Sequence, residues 1–536
     1  MFFPLLFGAG AALAAAVPTN VKQHGSPAVT VRKQVPHNAG AAILAPFVSF
    51  SIEFSSFPDF AGNKSKPNRF SNQLLDNLAD LQGVKPYIRV GGTTQELALY
   101  DPDLKTQING TVVPSITEDF PWLVSIGPSY FEAYSTWPGV KFSHGFNLGN
   151  NTTAGMDALI ATAPLACKAL SHGNFAHWEL GNEPDLYQLI GWRPETWTES
   201  DYVTEWLSRS QIIKRQIAKA CPGMATDHAY KYIAPSFAGF TRDLDPVKTW
   251  EDGLDKNKDI GMNSMHNYMG SADTPGLTLA NTLMNHTAIV NSVAPHTNLS
   301  RVLNEKALTK DIPYILGEMN SLSHQGQPKL SNSFGAALWG VDFNLYCASQ
   351  SIGRTHMHQG TNYRYASWQP VQTNKTTIGT KAPYYGNIMV AAMLRGSGGR
   401  DHHRDASVQV VNLEMPHETE AAYAAYVDGK LARVAVINMQ EHNYTDTASA
   451  SQRSAATYQF HLPGVSAKPL SVQRLMANGS DAITGISWDG WSYNYELKGG
   501  APVRLHNITV GETVRVNSKG LVELELPYSS AAILNF

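Results

Sequence analysis

Between residues 47 and 396, short strand-like runs recur eight times, at 47–54, 87–91, 141–146, 176–181, 232–236, 262–268, 314–317 and 351–358. Longer amphipathic segments, such as 201–220 and 333–349, separate them. Strands joined by helical crossovers run parallel, because the crossover returns the chain to the same end of the sheet. Eight such units predict a (β/α)8 TIM barrel of class α/β, whose functional groups gather at the C-terminal ends of the strands. A doubly wound open sheet is the alternative the same alternation allows.

After residue 396 the pattern changes. Gly396-Ser397-Gly398-Gly399 leads into the charged run Asp401-His402-His403-Arg404-Asp405, which reads as a solvated linker. The catalytic barrel is therefore expected over 46–400 and a second domain over 401–536. Alternating runs at 433–437, 513–516 and 521–526, with the hairpin-type turns Asp428-Gly429 and Asp489-Gly490, predict an antiparallel β-sandwich there. In the N-terminal segment 17–45, Val29 and Val31 alternate with Thr30 and Arg32, and this piece is expected to lend the sandwich a strand.

Residues 2–16 form an apolar run ending Ala14-Ala15-Ala16, followed by a polar, proline-containing stretch, the pattern of a signal peptide over 1–16. The run is too short to span a bilayer, and no later apolar run reaches the ~18 residues a span requires. Ten Asn-x-Ser/Thr sites suit a glycoprotein, so a secreted, extracellular, monomeric protein is expected. With 41 basic against 44 acidic residues the chain carries no global field to draw in nucleic acid or an anionic membrane. Its three cysteines, Cys167, Cys221 and Cys347, lack the paired spacing of a zinc site and allow at most one internal bridge.

On the barrel reading, strand four ends Trp178-Glu179-Leu180-Gly181-Asn182-Glu183-Pro184 and strand seven ends Ile315-Leu316-Gly317-Glu318. Two glutamates at one barrel mouth can flank a sugar, one carboxyl protonating the leaving oxygen and the other attacking the anomeric carbon. That chemistry needs no cofactor. His356-Met357-His358 lacks a third matched ligand, so no metal is expected. Trp192, Trp197 and Trp206 fit either an aromatic subsite or a packed helix face.

The Asn-Glu-Pro element and the strand-seven glutamate resemble clan A of the glycoside hydrolases. Ile88-Arg89-Val90-Gly91-Gly92-Thr93, Ser264-Met265-His266-Asn267-Tyr268 and Gly360-Thr361-Asn362-Tyr363 narrow the resemblance to family 79, the β-glucuronidase and heparanase family. The resemblance spans about residues 28–536. It implies Glu183 as acid/base and Glu318 as nucleophile of a retaining mechanism, and a glucuronide or glucuronic-acid-containing glycan as substrate. It further implies that Asn182 contacts the sugar 2-hydroxyl, that Tyr268 orients Glu318, and that Glu53 and Thr93 reach hydroxyls across the ring. Gly360, Asn362 and Tyr363 would read the sugar carboxylate through backbone amides and a phenol. The chain departs from the family at Ser323, where members often carry tyrosine, and the adjacent His324 is the residue expected to supply a donor instead, more strongly at acid pH. An endo-acting heparanase-like enzyme, a clan A enzyme for neutral sugars and a silent carbohydrate-binding protein are the competing readings.

Overall fold

The computed structural model describes residues 28–240, 242–396, 406–445, 453–465 and 468–536. The signal segment 1–16 and the linker over 397–405 lie outside the described residues.

Eight strands close into a barrel in chain order: β1 (Val48–Glu53), β2 (Ile88–Gly91), β3 (Phe142–Phe146), β4 (Phe175–Leu180), β5 (Tyr232–Phe237), β6 (Ile260–Tyr268), β7 (Tyr314–Asn320) and β8 (Arg354–Gln359). Every neighbouring pair is parallel. The open sheet is excluded by the last pairing, in which Thr355 to Gln359 of β8 lie beside Val48 to Ile52 of β1. Two limits of the barrel strands differ from the sequence reading by three residues, the others by two or fewer. β7 continues past Gly317 to Asn320, and β8 begins at Arg354 because Ser351 adopts a left-handed φ of 66° just beyond the helix Phe334–Ser349.

The long crossover Glu199–Ala220 starts at a reciprocal cap between Thr198 and Asp201 and buries Trp206 against Tyr232. Helices Phe334–Ser349 and Ala382–Met393 are buried at every residue, the signature of helices enclosed on all sides. What encloses them is the barrel on one side and the C-terminal sheets on the other, where Arg433 Nε donates to the Met393 carbonyl at 2.8 Å.

Those C-terminal strands form a nine-stranded sheet and a three-stranded sheet around a second apolar core that includes Val434, Tyr458, Phe460, Val522 and Leu534. Asp428-Gly429 (φ 49° and 78°) joins Glu420–Val427 to Lys430–Asn438, and Asp489-Gly490 (φ 48° and 74°) makes the second tight hairpin. Positive φ at both central residues is what lets a two-residue turn follow the strand twist. The N-terminal strand Val29–Thr30 joins the three-stranded sheet in parallel, beside Phe460 and His461. Cys167 and Cys221 form a disulfide linking the ends of Thr153–Leu170 and Glu199–Ala220, and Cys347 is a buried free thiol.

Candidate active site

Strand alternation sends Val48, Phe50 and Ile52 of β1 toward the helices and Ser49, Ser51 and Glu53 toward the barrel axis. The same period brings Arg89 of β2, Glu179 of β4, His266 and Tyr268 of β6, Glu318 of β7 and His358 of β8 into one polar cluster.

Arg89 is its hub. Fully buried, it donates from Nε to Glu179 (2.8 Å), from Nη1 to Ser51 (2.9 Å) and Glu318 (2.5 Å), and from Nη2 to Asn182 Oδ1 (2.7 Å). A guanidinium can do this because its donors are held in one rigid plane. Burial disfavours its charge, but the Glu179 and Glu318 carboxylates outweigh that and raise its pKa.

Glu318 owes its aim to a bulge. Pairing between β6 and β7 steps from Met265–Leu316 to His266–Glu318, so Gly317 is the extra residue. A Cβ at Gly317 would sit 2.1 Å from Ser264 Oγ, which explains the glycine. The Glu318 carboxylate accepts from the Tyr268 hydroxyl at 2.8 Å and lies 3.5 Å from His358 Nδ1. Burial pushes its pKa up, but His358, His266, Arg89 and the Tyr268 hydroxyl together hold it well below the usual carboxylate range. Glu318 is thus an ionised carboxylate in a desolvated site.

Glu183 stands just beyond β4, with φ 51°, a left-handed conformation that costs a non-glycine residue about 1–3 kcal/mol. Its surroundings fix it there. The Glu183 N–H donates to the Ser236 carbonyl (3.0 Å), the Asn182 N–H donates to Glu96 (2.5 Å), and Asp185 accepts from the amides of Ala238 (2.8 Å) and Gly239 (3.2 Å). The Glu183 side chain pairs with His266 Nδ1 at 2.9 Å, and ligand atoms of Glu183, His266 and Glu318 all lie within 4.8 Å of one another. Such a trio could hold a cation by spacing alone. The Arg89 guanidinium 2.5 Å from Glu318 already supplies positive charge there and would repel a second cation.

On the opposite side, Glu53 accepts from the Thr94 amide (2.9 Å), the Thr94 hydroxyl (2.6 Å) and the Tyr363 hydroxyl (3.2 Å), with His358 Nε2 at 3.3 Å. Thr94 makes this contact, while Thr93 is half-buried at the start of the same turn. A Cβ at Gly92 would come within 2.7 Å of Glu53, so the glycine admits the carboxylate.

The turn after β8 corrects one expectation. The amides of Thr361, Asn362 and Tyr363 donate to Ser56 Oγ, Gln369 Oε1 and the Gly360 carbonyl, at 3.0, 2.9 and 3.1 Å. They are committed to holding the turn in shape, so these three amides do not stand open to a substrate carboxylate. Gly360 allows the Tyr363 ring to fold back, since a Cβ there would meet it at 2.3 Å, and Asn362 takes φ 69°. What the turn presents is the Tyr363 phenol, with Tyr365 packed against it and ring centroids 5.6 Å apart. Ser323 donates to the Gly270 carbonyl (3.3 Å), and His324 lies on the exposed rim, its Nδ1 held by Asp273 (2.5 Å) and Ser271 (2.9 Å).

Asn182 keeps its Oδ1 on Arg89, which leaves its Nδ2 to donate outward. Of the three tryptophans, Trp197 and Trp206 are buried packing residues, whereas Trp192 is half-buried at the mouth. Sequence reasoning passed over Arg89, Glu179, His266 and His358 as site residues. The signal was present: each is a charged or imidazole side chain inside a strand, next to an Ile, Val, Leu, Met or Trp, where burial is expected and a buried charge needs partners.

Comparisons with known proteins agree with this geometry. The model of the glycosyl hydrolase family 79 C-terminal beta domain matches residues 422–533. A β-glucuronidase of Aspergillus niger is 60% identical over 541 residues, covering 99% of this chain and 98% of the relative. A β-glucuronidase of Neurospora crassa is 46% identical over 558 residues, covering 97% and 98% respectively. Among solved structures, a 4-O-α-L-rhamnosyl-β-D-glucuronidase from Fusarium oxysporum superposes with a TM-score of 0.76 at 24% identity, covering 95% of this chain and 100% of the other.

Proposed function

The chain belongs to glycoside hydrolase family 79 and is a β-glucuronidase, and we propose that it removes terminal β-linked glucuronic acid, or its 4-O-methyl form, by a retaining mechanism. The observation that carries the mechanism is the spacing of Glu183 and Glu318, which bring one carboxylate oxygen each within 4.8 Å of the other. That closeness favours a retaining pair at ~5–5.5 Å over an inverting pair at ~6.5–9.5 Å.

Glu318, ionised and held by Tyr268 and Arg89, attacks the anomeric carbon as Glu183 gives its proton to the leaving oxygen. A covalent glycosyl-enzyme forms. Glu183 then takes a proton from water, whose oxygen displaces Glu318 from the same face that the aglycone left. His266 at 2.9 Å orients the Glu183 carboxyl through both proton transfers. Asn182, anchored by Arg89 and Glu96, donates Nδ2 to the sugar 2-hydroxyl, a contact that strengthens as oxocarbenium character develops. Glu53 binds hydroxyls across the ring, and the Tyr363 phenol, which donates to Glu53, stands beside it at the sugar's edge.

The Cys167–Cys221 disulfide favours an oxidising compartment and supports the reading of a secreted, extracellular enzyme. Hydrolysis of aryl β-D-glucuronide beside aryl β-D-glucoside and β-D-xyloside tests the reading. Selective glucuronide cleavage, with the β anomer appearing first by proton NMR, is the expected result; cleavage of only the neutral sugars, or first release of the α anomer, would defeat it.

Tyr268→Phe removes a hydrogen bond to a charged acceptor, worth about 1.5–3 kcal/mol. We expect kcat/KM to fall about ten- to hundredfold. Because the hydroxyl helps hold the Glu318 pKa down, the acid limb of the pH profile should also move to higher pH, which kcat/KM measured across pH 3–7 checks.

A further inference from the structure

A row of aromatic side chains crosses the barrel mouth outside the carboxylate cluster. Phe120 packs against the buried group formed by Tyr363, Tyr365 and Ala366, which Tyr268 also touches. Trp122 follows at 6.3 Å between ring centroids, and Trp192 at a further 6.5 Å. Both tryptophans are half-buried, and their sequence neighbours Leu123, Leu189 and Ile190 are exposed, Leu189 to 70%. Trp192 closes the row on the other side: a Cβ at Gly149 would meet its ring at 2.6 Å, and the Gly149 amide donates to Glu96, the residue that accepts from the Asn182 amide. The row therefore runs from the tyrosines beside Glu318 to the loop that begins at Glu183.

Resting on the retaining reading above, we propose that Trp122 and Trp192, with Phe120, form the binding platform for the leaving-group part of the substrate, a neutral pyranose linked to the glucuronic acid. The proton donor faces the leaving oxygen, so the loop it opens borders whatever departs, and Trp192 belongs to that loop. Flat aromatic faces bind the CH face of a sugar, and half-burial keeps them rigid yet open. The platform is preorganised. Tyr187 packs on Trp192 at 5.4 Å, and the Arg193 guanidinium lies 5.4 and 5.2 Å from the Tyr187 and Trp197 centroids while its Nη2 pairs with Glu205 at 2.7 Å. The charged side chains beside the row are engaged with one another, Arg193 and Arg209 with Glu205 and Arg364 with Asp119, so none of these calls for a charged ligand.

The test compares kcat/KM of the wild type, Trp122→Ala, Trp192→Ala and Trp122→Phe on methyl β-D-glucuronide, a β-glucuronosyl-glucose disaccharide and 4-nitrophenyl β-D-glucuronide. Either alanine change should lower kcat/KM for the disaccharide about three- to tenfold with the methyl glucuronide within about twofold, the size of one aromatic contact. Trp122→Phe, which keeps a ring, should recover most of the loss. Trp122 lies on a separate loop from Asn182, so it remains decisive if Trp192→Ala disturbs Gly149. Equal losses on methyl glucuronide and disaccharide, or none on either, would overturn the platform, and a loss confined to the nitrophenyl substrate would overturn the sugar as its occupant. A wild type inactive on all three glucuronides would instead defeat the underlying β-glucuronidase reading.

Discussion

Glu318→Gln is expected to lower kcat/KM for an aryl β-glucuronide by at least about 10⁴-fold, since it deletes the covalent step and leaves only binding and acid assistance. The loss alone does not distinguish nucleophile from acid/base, because Glu183→Gln is also expected to be severe for substrates with poor leaving groups. Small-anion rescue separates them. In Glu318→Gly the cavity lies on the face opposite the aglycone, so azide entering it displaces the aryl group directly and the product is the α-glucuronosyl azide. In Glu183→Gly an activated aryl group leaves without an acid and Glu318 still forms the glycosyl-enzyme. Azide then attacks from the face the aglycone vacated and gives the β-glucuronosyl azide. Proton NMR of the two azides settles the roles: exchanged anomers would reverse them, and rescue of neither variant would end the retaining scheme.

The parts of the molecule written in local pattern were legible in the sequence. The eight-strand alternation, the Asp428-Gly429 and Asp489-Gly490 hairpins and the Glu183 and Glu318 pair each depend on residues close in the chain. What was hidden depends on register and packing. Glu318 was expected just past the end of β7, but the strand continues and the bulge at Gly317 turns its side chain inward. The Gly360 to Tyr363 turn was expected to offer its amides, and only the fold reveals that Ser56, from far along the chain, and Gln369, seven residues past Asn362, have already claimed two of them. Thr94, which the sequence did not single out, holds Glu53 through the tight turn after Gly92. Arg89 is the largest omission, because four partners from three strand ends meet at one guanidinium.

Arg89 carries the second large effect. Arg89→Met should destabilise the protein by about 3–5 kcal/mol, the cost of removing one partner of a buried ion pair. Two carboxylates would be left in the barrel without their common cation, and Ser51 and Asn182 would each lose a donor. The pH dependence gives the loss a signature. In the intact site the Glu318 pKa is depressed, so its contribution to stability is fully present above the unfolded carboxyl value of about 4.3 and is lost as pH falls through the folded value. Without Arg89 burial is opposed by fewer charges, the carboxyl takes up its proton at higher pH, and the nucleophile is quenched sooner. Chemical denaturation of wild type and variant across pH 4–8, with kcat/KM over the same range, should therefore show lower stability and an acid limb displaced upward. Arg89→Lys should recover little of either, because a single ammonium cannot bridge Ser51, Glu179, Glu318 and Asn182 at once. Full recovery by lysine would mean that the site needs only a positive charge, and the planar fork would lose its place in the mechanism.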